Sequence, residues 1–191
     1  MKKANDFKYY YKKTGFFQLL FKTRKLIELV DIRNFEVLIP LFLTIAAYFL
    51  SENLYNGVDF YSVLESVKTV TIGIATAFIS LLGLIISGLA ITTGTISKKV
   101  AKNIEEVEKA DALMEIMYSF YFISFFIGLT ILMLLTFYFL TFTNLGIDLF
   151  TFRLLFLLAV YFVSFDIFYS ISLIGTCLSV FLIYYKYSKE D

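Results

Sequence analysis

Apolar residues run along this chain in four long blocks separated by short polar segments. The blocks show neither the strict alternation of a half-buried strand nor the polar stripe of a soluble amphipathic helix. They predict membrane-spanning helices at about 37–53, 69–97, 116–143 and 154–185. The first is the weakest. Its unbroken apolar run, residues 37–50, ends before Glu52 and Asn53 and carries Pro40 near its start, where a first helical turn tolerates proline. At 1.5 Å per residue that run reaches roughly 21 Å against a hydrocarbon core of about 30 Å, so it draws on flanking residues or thins the bilayer. The other three are long enough to cross with tilt, and Asp166 is the single charge within them. The fold class that follows is all-α: an integral membrane four-helix bundle, spanning domain 37–185.

The distribution of Lys and Arg orients this bundle, because cytoplasmic flanks collect positive charge during insertion. Nine basic residues precede the first block, Lys98, Lys99, Lys102 and Lys109 lie between the second and third, and Lys186 and Lys189 follow the fourth. Only Lys68 and Arg153 fall on the opposite side. An even number of spans then places both termini in the cytoplasm of a multi-pass inner-membrane protein, with a tail at 186–191. No cleavable secretory signal is expected, since the first apolar stretch begins some 35 residues in and no small-residue cleavage site follows it.

Two polar segments belong to that inner side. Segment 1–36 alternates apolar clusters with Lys12, Lys13, Lys22, Arg24, Lys25 and Arg33. This suits a basic amphipathic helix lying on an anionic leaflet, or equally a helix packed on the protein's own cytoplasmic edge. Segment 98–115 has no Gly or Pro and is rich in Lys, Glu and Ala, so it predicts a protruding cytoplasmic helical hairpin. Its near-balanced charge fits a solvated face or a docking site for a cytosolic protein. The segments on the other side, 51–68 and 144–153, are too short for an extracellular domain.

Composition narrows the chemistry. Of 191 residues, 59% are hydrophobic and 17% charged, and there is no His, one Cys and no Trp. Ser-His and Cys-His catalysis, His/Cys metal sites and internal disulfides are thereby excluded. An aspartyl intramembrane protease needs two facing acids where this chain offers one, and no nucleotide-binding pattern is present. No enzyme activity, cofactor, metal or direct nucleic-acid binding is expected. Phe and Tyr in place of Trp, with abundant Lys and Ile, suggest an AT-rich prokaryotic genome.

The most specific pattern lies in the second block, where small residues recur at alternating steps of four and three: Thr69, Gly73, Thr76, Ser80, Gly83, Ser87, Ala90, Gly94, Ser97 and Ala101. This is a heptad seam. It can bring helix backbones close together, within the chain or between subunits, or its hydroxyls can line a narrow aqueous path around an oligomer axis.

Asp166 lies thirteen residues beyond Arg153 and so roughly 20 Å deep, near the bilayer midplane. A carboxylate there costs at least about 2.5 kcal/mol on insertion scales, and no basic residue shares its depth. It must be protonated, open to water, or hydrogen-bonded by hydroxyls such as Ser170, Ser80 or Ser87. It reads as interhelical glue or as an ion, proton or gate site. The third block is crowded with aromatics (Tyr118, Phe120, Tyr121, Phe122, Phe125, Phe126, Phe137, Tyr138, Phe139, Phe142), most of which are expected to face lipid or anchor at the interface.

In layout, with four spans, both ends inside, a basic amphipathic N-terminal segment and a charged inner hairpin, the chain resembles the small membrane components of prokaryotic phage-defence systems. These include the Kiwa membrane subunit and the membrane accessories of some RNA-targeting CRISPR nucleases. The resemblance covers the whole chain, is carried by topology, and transfers no functional residues. It implies an oligomeric membrane protein acting with a cytosolic partner. The expected function is a homo-oligomeric, channel-like or membrane-perturbing effector. The alternatives are a non-conducting anchor or sensor subunit that recruits a cytosolic effector, and a small transporter, for which internal repeats are lacking.

Overall fold

The structure, a computed structural model, describes residues 33–57, 60–95, 110–142 and 149–188, with side chains described at 33–52, 62–94, 116–141 and 150–178. The N-terminal basic residues apart from Arg33, the hairpin charges, and Ser97 and Ala101 of the seam lie outside those residues. Four helices make up the described chain: α1 (Phe35–Gly57), α2 (Phe60–Thr95), α3 (Ala110–Phe142) and α4 (Leu149–Ser188). Each contains a stretch long and apolar enough to cross a membrane: Phe35–Glu52, Ser62–Gly94, Ile116–Thr141 and Phe150–Leu178. A helix meets its interior backbone polar groups within itself, as hydrocarbon requires.

The helices extend beyond their apolar blocks wherever no breaker stands in the way. α2 begins at Phe60, nine residues before the predicted span and just beyond the weak helix formers Asn56, Gly57 and Asp59. α1 begins at Phe35, with the Asn34 carbonyl accepting from the Val37 and Leu38 amides at 3.0 Å and Glu36 placed in the first turn, where the helix dipole favours an acid. Pro40 therefore sits more than a turn inside the helix rather than in its first turn, and removes one backbone bond there. The Thr44 hydroxyl donates back to the Pro40 carbonyl at 2.8 Å, a bond within its own helix.

The described residues fall into two compact units, those within 33–83 with 125–169, and those within 84–124 with 170–188. In the first, Leu64, Phe137 and Phe152 form one layer of core and Ala75, Leu134 and Ala159 a second. In the second, the core gathers Ile85, Ile116, Phe120, Phe122, Ile123 and Leu173. α3 is the most enclosed helix, with 39% of its apolar span buried against 17% for α1 and for α2.

This enclosure takes in part of the aromatic set expected to face lipid. Phe120, Phe122, Phe126 and Phe137 of α3 are core residues, and only Tyr121, Phe125 and Phe139 of the described aromatics there are exposed. In lipid the hydrophobic effect does not sort side chains inward, so large rings go where they fill volume between helices. Elsewhere the outer faces stay apolar: Leu84, Ile91, Leu132 and Ile174 are all largely exposed, as a hydrocarbon solvent permits and water would not.

Candidate functional site

Two features could carry function, and they lie on opposite terms with their surroundings. The first is sealed. Asp166 is 0% exposed, sixteen residues beyond the start of the α4 apolar span and twelve before its end. Thr130, 1% exposed and at the corresponding middle of α3, donates its hydroxyl to Asp166 Oδ2 at 2.6 Å. The distance is that of a hydroxyl bonded strongly to a carboxyl oxygen. Phe165, next to the acid, stacks on Tyr161, meets Phe126 edge-on and lies tilted against Tyr169, with ring centroids 5.6–6.4 Å apart. Ser164, Phe165 and Tyr169 on the same helix are themselves buried.

A hydroxyl partner of Asp166 thus comes from α3, a helix that supplies none of the expected candidates Ser170, Ser80 and Ser87. Ser80 is exposed and donates to the Thr76 carbonyl of its own helix. Thr130 carries a weak sequence signal, being a polar residue at the midpoint of an otherwise apolar block, and depth matching of Asp166 against every span would have included it. In this conformation Asp166 pins α3 to α4 and lines no open path.

The second feature is open. Thr69, Gly73, Thr76, Ser80, Gly83, Ser87, Ala90 and Gly94, the eight described residues of the seam, are all exposed. α2 turns the opposite face inward, burying Leu64, Thr71, Ala75, Phe78 and Ile85. Among the described residues the seam therefore makes no close helix packing. A Cβ placed on Gly73, Gly83 or Gly94 would meet nothing within 4 Å. Exposed aliphatics border the stripe along its length, Ile72, Ile79 and Ile86 on one side and Val70, Leu84 and Ile91 on the other. Small residues between two aliphatic ridges make a shallow furrow. Three of its hydroxyls are turned back on the helix: Thr69, Thr76 and Ser80 donate to the Glu65, Ile72 and Thr76 carbonyls at 2.9–3.3 Å. The furrow thus presents little free polarity to what lies against it.

The close backbone approach that a small residue permits occurs instead at Gly88, off the stripe. A Cβ there would lie 3.2 Å from Phe120 Cε1. Gly88→Leu is expected to lower subunit stability by about 1–3 kcal/mol through overpacking, read as an unfolding free energy in bicelles, whereas substitution at Gly83 leaves that quantity unchanged.

Arg153 organises the end of the bundle where α4 starts. Its guanidinium lies 4.5 Å over the Tyr48 ring, its Nε donates to Ser51 Oγ at 3.2 Å, and Ser51 in turn donates to the Tyr48 carbonyl at 2.7 Å. A cation on a tyrosine face thereby ties the short α1 to α4. Among the described residues no group of three His, Cys, Asp or Glu could hold a metal ion.

Comparison of the chain with protein-family models, curated proteins and solved structures finds no match.

Proposed function

We propose that the protein is a homo-oligomeric membrane component whose subunits meet through the α2 furrow, around an axis that makes the assembly channel-like. The observation that carries this reading is the exposure of all eight described seam residues between two aliphatic ridges. Lipid gives no hydrophobic drive to association, so helices associate where shape lets backbones approach, and small residues bordered by ridges supply that shape. Copies arranged in a closed ring would pack through part of the furrow and line the centre with the rest. Asp166 and Thr130 hold the subunit rigid behind it.

Both termini are cytoplasmic in this reading, in keeping with the distribution of Lys and Arg. The layout shared with phage-defence membrane components adds a cytosolic partner at the inner face. A second reading, a non-conducting anchor for such a partner, draws on the hydroxyls of Thr69, Thr76 and Ser80, which are bonded to their own helix and suit a dry interface.

Ion flux through liposomes containing the purified protein separates the two. Channel activity predicts flux for the wild type, its loss in Ser80→Leu and Ser87→Leu, and its retention in Asp166→Asn, whose amide oxygen still accepts from Thr130. Absence of flux in the wild type, or unchanged flux in both leucine variants, rejects conduction and leaves the anchor.

A further inference from the structure

α1 buries a narrow stripe and turns the rest of its surface outward. Val37, Pro40 and Ser51 are buried, while Leu38, Phe42, Ile45, Phe49 and Leu50 are exposed. Its apolar span is 18 residues long, against 33, 26 and 29 for those of α2, α3 and α4. The helix runs on to Gly57, but through exposed Glu52 and then Asn53 and Asn56, so the added length is largely polar. Glu36 and Glu52 bound its charge-free run, sixteen residues apart or roughly 24 Å along a helix.

A typical hydrocarbon core is about 30 Å thick. Tilt would shorten the projection of α1 and widen the difference. Sliding along the bilayer normal would only move the shortfall from one end to the other. Contacts with α4 fix one end: Arg153, just before the long apolar run of that helix, reaches the Ser51 hydroxyl at 3.2 Å and covers the Tyr48 ring at 4.5 Å. The Glu52 end of α1 is thereby held level with a cation that marks the membrane edge. The missing length, about 6 Å, falls at the Glu36 end, where exposed Arg33 and half-buried Asn34 precede the helix. A bilayer meets a span that is too short by thinning beside it.

We propose that the outward side of α1 is a surface for thin hydrocarbon, which draws phospholipids of short acyl chain from a mixed bilayer to this side of the protein. The selection is independent of the α2 furrow. The chain contains no tryptophan, so a single introduced one reports on the lipid beside it. Phe42→Trp near the middle of α1 and Leu132→Trp in α3 replace residues of similar exposure, 67% and 63%. The full chain carrying either change is reconstituted in dioleoylphosphatidylcholine mixed with brominated phosphatidylcholines of fourteen-carbon or twenty-two-carbon chains. Tryptophan quenching then gives the relative binding of each lipid at that position.

At Phe42→Trp the short chain is expected to bind about five-fold more strongly than the long one, and at Leu132→Trp no short-chain preference is expected. Adding Glu36→Leu and Glu52→Leu extends the charge-free run to that between Arg33 and Asp59, roughly 39 Å, and is expected to bring the preference at Phe42→Trp below about two-fold. Equal quenching by the two lipids at Phe42→Trp, the same preference at Leu132→Trp, or a preference that survives the leucine pair would overturn the proposal. The two tryptophan positions are compared with the native charges in place, so the result stands even where the leucine pair fails to fold.

Discussion

Gly83→Leu is expected to disperse the membrane assembly while leaving the subunit folded. The two effects separate because Gly83 lies in the middle of the furrow and a Cβ there meets nothing of its own chain within 4 Å. A leucine fills the groove that a neighbouring helix would otherwise enter. Overpacking at a helix interface costs about 1–3 kcal/mol, which is roughly 5-fold to 150-fold in the association constant. Subunit counting by single-molecule photobleaching in nanodiscs reads the assembly, and unfolding in bicelles reads the fold. Loss of stability without loss of assembly would mean that α2 faces its own bundle, contrary to the exposure of the stripe.

The second large effect concerns the sealed pair. Thr130→Val is expected to lower the unfolding free energy by about 1–3 kcal/mol, because it takes away the hydroxyl from a carboxyl group that remains fully buried. Asp166→Leu alone leaves the Thr130 hydroxyl facing an apolar side chain, a milder loss, since a threonine can turn back to a carbonyl of its own helix. The double variant Thr130→Val with Asp166→Leu should therefore be more stable than the sum of the two single changes implies. The coupling between them is expected to be of order 1 kcal/mol, the upper part of the range for hydrogen bonds between membrane helices. Additivity within about 0.5 kcal/mol would show that the two residues act independently. Neither single change is expected to alter the oligomeric state, since both residues are enclosed within the subunit.

Much of the architecture is legible in the sequence because hydrocarbon imposes length and apolarity on anything that crosses it. Four apolar blocks become four helices, and the midplane depth of Asp166 follows from counting residues. What is less legible is which face of each helix turns inward. In water, polarity marks the outer face; in lipid, Ile79 outside and Ile85 inside look alike, and Phe122 in the core looks like Phe139 on the surface. The ten-residue seam is detectable as a pattern, yet a small-residue stripe has the same spacing whether its partner is the same chain or another. Gly88 illustrates the converse. It is the glycine of α2 that a neighbouring side chain approaches closely, and it lies outside the pattern. Likewise Ser80 and Ser87 share the depth of Asp166 but stand on the outward face, so Thr130 is the partner that geometry selects.

Disulfide cross-linking in native membranes tests the furrow most directly. With Cys177 replaced by serine, single cysteines at Thr76, Ser80 and Gly83 are compared with single cysteines at Leu132 and Ile174, which are exposed on α3 and α4. The account predicts covalent dimers from the three furrow positions and none from the two controls. Furrow cysteines that stay monomeric and react with a lipid-phase thiol reagent as readily as those at Leu132 and Ile174 would contradict it.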